Sequence, residues 1–233
     1  MNLLIQLLLL ISLNIQAEVW MPSIFNNGMV LQADKDLTIW GEAHPGEQIK
    51  LSFAGQNKSI ITTKAGQWRI TLEALKTSSK PQTMMINDKK ISDIHVGEVW
   101  ILAGQSNMAW PLSKCDGGVE AVSTANYPWL RIFKQWPFQG ACDEPARDVK
   151  GGQWGQCTPK QAAQLSGVGF FFAKELQKAF EKETPIALIN TAMGSAYAEC
   201  YINKETLQRT PSAQPFLNKA AKEITPGKSD EKS

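Results

Sequence analysis

Ser106 lies in Gly104-Gln105-Ser106-Asn107-Met108, directly after the apolar run from Gly97 to Ala103. A serine just past the C-terminal end of a buried strand sits where open α/β sheets build their active sites. If a helix starts there, free backbone N–H groups and the positive end of its dipole favour a developing oxyanion. The chemistry such a serine suits is nucleophilic attack on an acyl carbon. The block is not a Gly-x-Ser-x-Gly elbow, because Met108 occupies the second glycine position. By spacing alone, Ser106 is equally a turn or N-cap residue. Gln105 and Asn107 would either donate hydrogen bonds beside it or brace the turn.

An attacking serine needs a base, and the chain holds only two histidines, His44 and His95. His95 precedes the nucleophile strand at its far end. Roughly eight residues at ~3.3 Å each put it about 25 Å from Ser106, outside hydrogen-bond reach. His44 lies in a Pro-Gly turn and is expected to face solvent. The cysteines are Cys115, Cys142, Cys157 and Cys200. At least one disulfide is expected among them, with buried free thiols as the alternative. No Cys-x-x-Cys or Cys/His cluster suggests zinc.

The elements that must hold Ser106 fall into two patterns. Residues 18–93 break into short β-like runs: Leu37–Trp40, Gln48–Phe53, Ser59–Thr63 and Trp68–Leu72, separated by Gly-containing turns. Ile49, Leu51 and Phe53 alternate as a half-buried strand requires, and several such runs without helices predict a small β-sandwich. From residue 94 the pattern changes to α/β. Val96–Ala103 is a strand covered on both faces, Leu130–Phe133 a second, and Ile186–Ile189 a third. Between them, residues 115–128 read as turn-rich, and residues 135–160 as a long irregular loop anchored by Trp136 and Trp154. Ser166 is expected to cap a helix whose apolar face is Val168, Phe171, Phe172, Leu176, Ala179 and Phe180, with Pro185 beyond its end.

The ends and the composition bound the partners. Residues 1–17, with an apolar run from Leu3 to Leu13 and the small Ala17, read as a secretory signal peptide, too short for a membrane span, so a secreted or periplasmic protein is expected. Residues 223–233 read as a polar tail. A net charge of +2 over 233 residues gives no reason to expect nucleic acid, and no later run is long and apolar enough to span a membrane.

Several blocks together resemble the sialate O-acetylesterase family of SGNH-type carbohydrate esterases. Gly97-Glu98-Val99-Trp100 running into Gly104-Gln105-Ser106-Asn107-Met108 resembles its nucleophile block. Pro22-Ser23-Ile24-Phe25, Met29-Val30-Leu31-Gln32 and Trp40-Gly41-Glu42-Ala43 resemble its amino-terminal β-domain. Val168–Leu176 and Pro185–Asn190 resemble the helix and strand that follow the nucleophile.

The resemblance implies hydrolysis of acetyl esters on sugars without a cofactor, with Ser106 as nucleophile. It also implies Gly194 as an oxyanion donor, from a Trp-Gly-Gly-Thr motif in which Met193, Ser195 and Ala196 depart from the pattern. Glu199 falls on a matching acid, and with Gln105 and Asn107 would contact the acetylated carbohydrate. A serine at position 195 is expected to resist the positive φ that glycine takes freely. The family's late Asp-x-x-His and its Gln-Gly-Glu block have no counterpart here. The fold expected is therefore a small N-terminal β-sandwich (18–93) and an incomplete flavodoxin-like SGNH hydrolase domain (94–222). Its strand order would open 2-1-3, leaving Ile186–Ile189 as a bare edge. A separate C-terminal half chain is one expected partner. A non-catalytic carbohydrate-binding or scaffold protein is the alternative reading.

Overall fold

The computed structural model describes residues 18–135, 146–149, 151–180 and 183–223. The signal-peptide reading, Trp136, Cys142 and the polar tail after residue 223 lie outside the described residues. The strands are β1 (Val30–Gln32), β2 (Leu37–Glu42), β3 (Gln48–Phe53), β4 (Gln56–Ile61), β5 (Gln67–Leu72), β6 (Ser78–Ile86), β7 (Lys89–Leu102), β8 (Tyr127–Lys134), β9 (Gln153–Cys157) and β10 (Ile186–Asn190). The helices are α1 (Ser106–Ala109), α2 (Gly118–Ser123), α3 (Pro159–Ala162), α4 (Gly167–Ala179), α5 (Lys204–Gln208) and α6 (Gln214–Glu223).

One strand organises the molecule. β7 runs for 14 residues, and its two halves have different neighbours. Residues up to Val96 pair antiparallel with β6, while His95 to Gly97 pair parallel with β1. Glu98 to Leu102 pair parallel with β10, which pairs parallel with β8. The large sheet therefore reads β4-β3-β6-β7-β10-β8-β9, and β2 and β5 form a separate antiparallel pair. The division expected between residues 93 and 94 falls inside β7.

Two apolar cores flank this strand. In the first, Ile49, Leu51 and Phe53 alternate inward from β3 as expected, and meet Ile39, Leu72, Met84, Ile86 and Ile94. The second gathers Leu102, Leu112, Leu130, Ile132, Phe170 and Leu188. Each fully buried side chain of this size contributes about 1.5–3 kcal/mol.

The structure corrects the expected strand order. In chain order the three parallel strands run 2-3-1, not 2-1-3, so β10 is central and is no bare edge. The reason lies in its composition: Ile186, Ala187, Leu188 and Ile189 are all buried, and a strand apolar on both faces belongs between two neighbours. β7 takes the outer position instead.

A second correction concerns α4. Its buried side is Gly167, Gly169, Phe170 and Ala173, while Val168, Phe171 and Phe172 are exposed. Periodicity alone could not separate the two faces, because this helix is apolar on both. Gly169 decides which one is buried: any side chain there would overlap Leu102 of β7. Ser166 does cap the helix, its Oγ accepting from Gly169 N at 3.0 Å.

The segments read as loops also carry structure. Residues 115–128 hold α2, and residues 135–160 hold β9, paired antiparallel with β8. Trp154 is an anchor, its Nε1 donating to Ile24 O at 2.8 Å and its ring 5.1 Å from Phe133.

The expected disulfide is not seen among the described cysteines: Cys115, Cys157 and Cys200 are free thiols. Cys157 is completely buried, and that burial pushes its thiol pKa up to about 12. Since the thiolate is the reactive form, Cys157 will resist alkylation in the native protein while exposed Cys200 reacts. Peptide mapping after iodoacetamide, with and without denaturant, checks this. Native labelling of Cys157 as fast as Cys200 would contradict it.

Candidate active site

Ser106 begins α1 immediately beyond the end of β7. Gly104 makes the turn possible, with φ +141°, where its missing side chain also spares Met108 a tight contact. The helix is a single turn closed by Ala109 N donating to Gln105 O at 2.9 Å. So short a helix offers open backbone N–H groups more than a developed dipole, which revises the expectation of dipole support. Gln105, Ser106 and Asn107 are all exposed, and the Ser106 hydroxyl has no hydrogen-bond partner among the described residues.

The loop after β10 is tied to this turn. Met193 N donates to Gly104 O at 2.9 Å, and Thr191 N donates to Leu102 O at 3.0 Å. Tyr201 Oη lies 2.6 Å from Gly104 O and 3.0 Å from Thr191 O, sharing its one proton between two carbonyls. The segment carrying Gly194 and Glu199 is thus fastened to the backbone two residues before Ser106. Gly194 is exposed with open space around it, and Glu199 is half-buried in a 3-10 turn (Ala198–Tyr201). Tyr201, not singled out from the sequence as a site residue, is the side chain that clamps the two together. Its only sequence signal is its place at the end of the family-like region.

Ser195 adopts φ +64°, contrary to the expectation that a serine there resists a positive φ. The bond from Ala196 N to Met193 O at 3.1 Å closes the turn that holds it. A non-glycine residue in this region costs roughly 1–2 kcal/mol. Ser195→Gly will therefore raise stability by about 1 kcal/mol, read as a higher midpoint in urea with an unchanged slope. A lower midpoint would contradict it.

Neither histidine serves this site. His44 is exposed in its turn, as expected, with its backbone N–H donating to Glu47 Oε2 at 3.1 Å. His95 does not precede the strand but lies within β7, buried. Its Nδ1 is 2.9 Å from Ser79 O, so that nitrogen carries hydrogen. Its Nε2 lies 2.8 Å from Arg131 Nη2 and 3.0 Å from Asp93 Oδ1. Both nitrogens are engaged, and no proton from Ser106 can reach them. Arg131, also buried, donates to Asp93 Oδ2 at 2.6 Å. Burial works against the Asp93 charge, but Arg131 and His95 outweigh it and hold the carboxyl below its usual range. This Asp93–His95–Arg131 group staples β7 to β8 and has no part in the serine chemistry. Sequence reading missed it because the pairing partner is in another strand.

The arrangement is a strand-end serine, open backbone donors and a fastened second loop, which suits acyl transfer. The family of carbohydrate esterases described as sialic acid-specific acetylesterases matches residues 96–219, from the middle of β7 to α6. The chain belongs to this family. Sialate O-acetylesterase from Mus musculus is 25% identical over 206 residues, covering 80% of this chain and 38% of that protein. The Homo sapiens sialate O-acetylesterase is 26% identical over 206 residues, covering 80% and 39%. A solved carbohydrate acetylesterase from Xanthomonas citri aligns with a TM-score of 0.72 at 30% identity, over 82% of this chain and 44% of that one. The chain spans less than half the length of these relatives.

Proposed function

We propose that this chain is the nucleophile-bearing front part of a secreted or periplasmic carbohydrate O-acetylesterase of the sialate type. The observation that carries the reading is Ser106 at the mouth of β7, with the Gly194 loop fastened to the Gly104 carbonyl. In this reading residues 1–17 are a signal peptide, 18–93 a β-sandwich, 94–222 a partial SGNH esterase domain and 223–233 a tail.

Ser106 Oγ attacks the acetyl carbon of an O-acetylated sugar, and the tetrahedral oxyanion is met by backbone N–H groups of Ser106 and Gly194. The C–O bond to the sugar breaks, and the sugar oxygen leaves with the proton taken from Ser106. Water then releases acetate from the acyl-serine. Gln105, Asn107 and Glu199 face the sugar. No step needs a cofactor. The proton must be carried by a base, which we assign to a segment outside these 233 residues, on the same polypeptide or a separate C-terminal half.

Acetate release from an O-acetylated sialic acid, followed by NMR, tests the reading. The chain alone will run no more than about 10³-fold above water, the level left to triad enzymes stripped of their machinery. Joined to the C-terminal remainder of the Xanthomonas citri enzyme, it will turn over at ordinary enzymatic rates. Fast release by the chain alone would place a base among its own residues. The engagement of the buried His95 ring by Ser79, Asp93 and Arg131 favours one second reading, a carbohydrate-binding protein without catalysis. Sugar binding with no release in either form would select it.

A further inference from the structure

The antiparallel pair β2–β5 turns one face into the first core and the other to solvent. Ile39, Trp68, Ile70 and Leu72 are buried beneath it. Trp40 and Glu42 of β2 alternate with them onto the outer face, where Arg69 and Gln67 of β5 stand directly opposite. This face forms one side of a groove of about 470 Å³, with Trp20, Ile61 and Arg147 among its other walls. That volume falls within the range of small-molecule sites. None of these residues belongs to the Ser106 turn or the Gly194 loop.

The groove is held in shape. Trp20 and Glu42 exchange two backbone hydrogen bonds of 2.9 Å. That approach is open because position 41 is glycine, where any side chain would overlap the Trp20 carbonyl. Arg147 lies over the Trp20 ring at 3.7 Å and pairs with the Glu42 carboxylate. Trp40 is braced edge-on by Phe25 at 4.5 Å yet stays 40% exposed. Arg69 is exposed, and no carboxylate of the described residues pairs with it.

The chemistry of this face selects a ligand. A rigid, half-exposed indole takes a flat apolar surface. An unpaired guanidinium beside it takes a carboxylate through two parallel hydrogen bonds. The Glu42 carboxylate only accepts, and the Gln67 amide both donates and accepts, so hydroxyl donors belong next to that carboxylate. A pyranose bearing a carboxylate offers all three: a flat CH face, one anionic group and a rim of hydroxyls. A run of acidic side chains would set further carboxylates against Glu42. A proline-rich segment, another occupant of aromatic grooves, would leave Arg69 unused.

We infer that the outer face of β2–β5 is a binding site for a carboxylate-bearing glycan, with Trp40 as stacking platform and Arg69 as carboxylate clamp. The inference rests on the proposed esterase reading, in which acetylated glycans are at hand. Holding one sugar of a longer glycan here raises the concentration of its other sugars around Ser106.

Ligand-observed NMR titrations of the full chain test the site. The probes are sialyllactose, tri-galacturonate, lactose as the uncharged control, and a proline-rich decapeptide. Arg69→Gln is expected to weaken binding of the acidic glycan about tenfold or more, leaving it close to lactose. Trp40→Ala should weaken acidic and neutral sugars alike. Arg69 is exposed, so Arg69→Gln keeps the urea midpoint, and its result stands without Trp40→Ala. Binding of sialyllactose alone would name a sialoglycan and binding of tri-galacturonate alone a uronate polymer, and either supports the site. Equal affinity for lactose, no binding of either acidic glycan, or binding of the decapeptide in their place would overturn it. So would affinity lowered by Asn107→Ala and untouched by Arg69→Gln, which would put the sugar at Ser106. Each of those failures leaves the esterase reading standing where the chain joined to the Xanthomonas citri remainder releases acetate. Arg69-dependent binding with no release would keep the site and remove that reading.

Discussion

Phe170→Ala will destabilise the protein by about 3–5 kcal/mol, the range for removing a fully buried phenylalanine. Phe170 is completely buried on α4, with Tyr127 at 6.0 Å and the second core around it. Two residues on, Phe172 has the same side chain but is 38% exposed. Phe172→Ala gives up an edge contact with Trp100 and little else, so it will cost about 1 kcal/mol or less. Urea unfolding of both variants by circular dichroism measures the difference. Equal losses would mean that the exposed face of α4 is packed in solution by the chain itself.

Ser106→Ala will lower turnover of the completed enzyme by about 10⁶-fold, the loss seen when a serine nucleophile is removed from a working triad. Binding of the sugar should change little, because Ser106 is exposed and the residues proposed to hold the substrate keep their places. A drop in acetate release with unchanged KM is the expected pattern. Residual activity within tenfold of the parent would remove Ser106 from the nucleophile role.

The place of Ser106 just past a strand end was easier to read from the sequence than the packing around it. Ser106 was legible because a residue block and a strand end coincide there, both local properties of the chain. Ser166 as a cap, and β3, β5 and β10 as strands, were legible for the same reason: N-caps, alternation and apolar runs are short-range signals. What failed was long-range. The order of β7, β10 and β8 depends on which strand is buried on both faces, a property that emerges only from packing. The face of α4 could not be read because Val168, Phe171 and Phe172 look as apolar as Phe170, and Gly169 fixes the choice through Leu102 of another element. Arg131 and Tyr201 were invisible because their partners lie in distant segments, Asp93 in β7 and the Gly104 carbonyl. The positive φ of Ser195 went the other way: tertiary ties at Met193 hold a serine where local preference asks for glycine.

In the proposed reaction Ser106 takes the acetyl group from a sugar. Its most direct test is to mix the completed enzyme with an O-acetylated sialic acid, quench in acid within one turnover, and map the peptides by mass spectrometry. An acetyl group is expected on the peptide containing Ser106 and absent from Ser106→Ala. Acetate release at full rate with that peptide unmodified, and undiminished in Ser106→Ala, would contradict it.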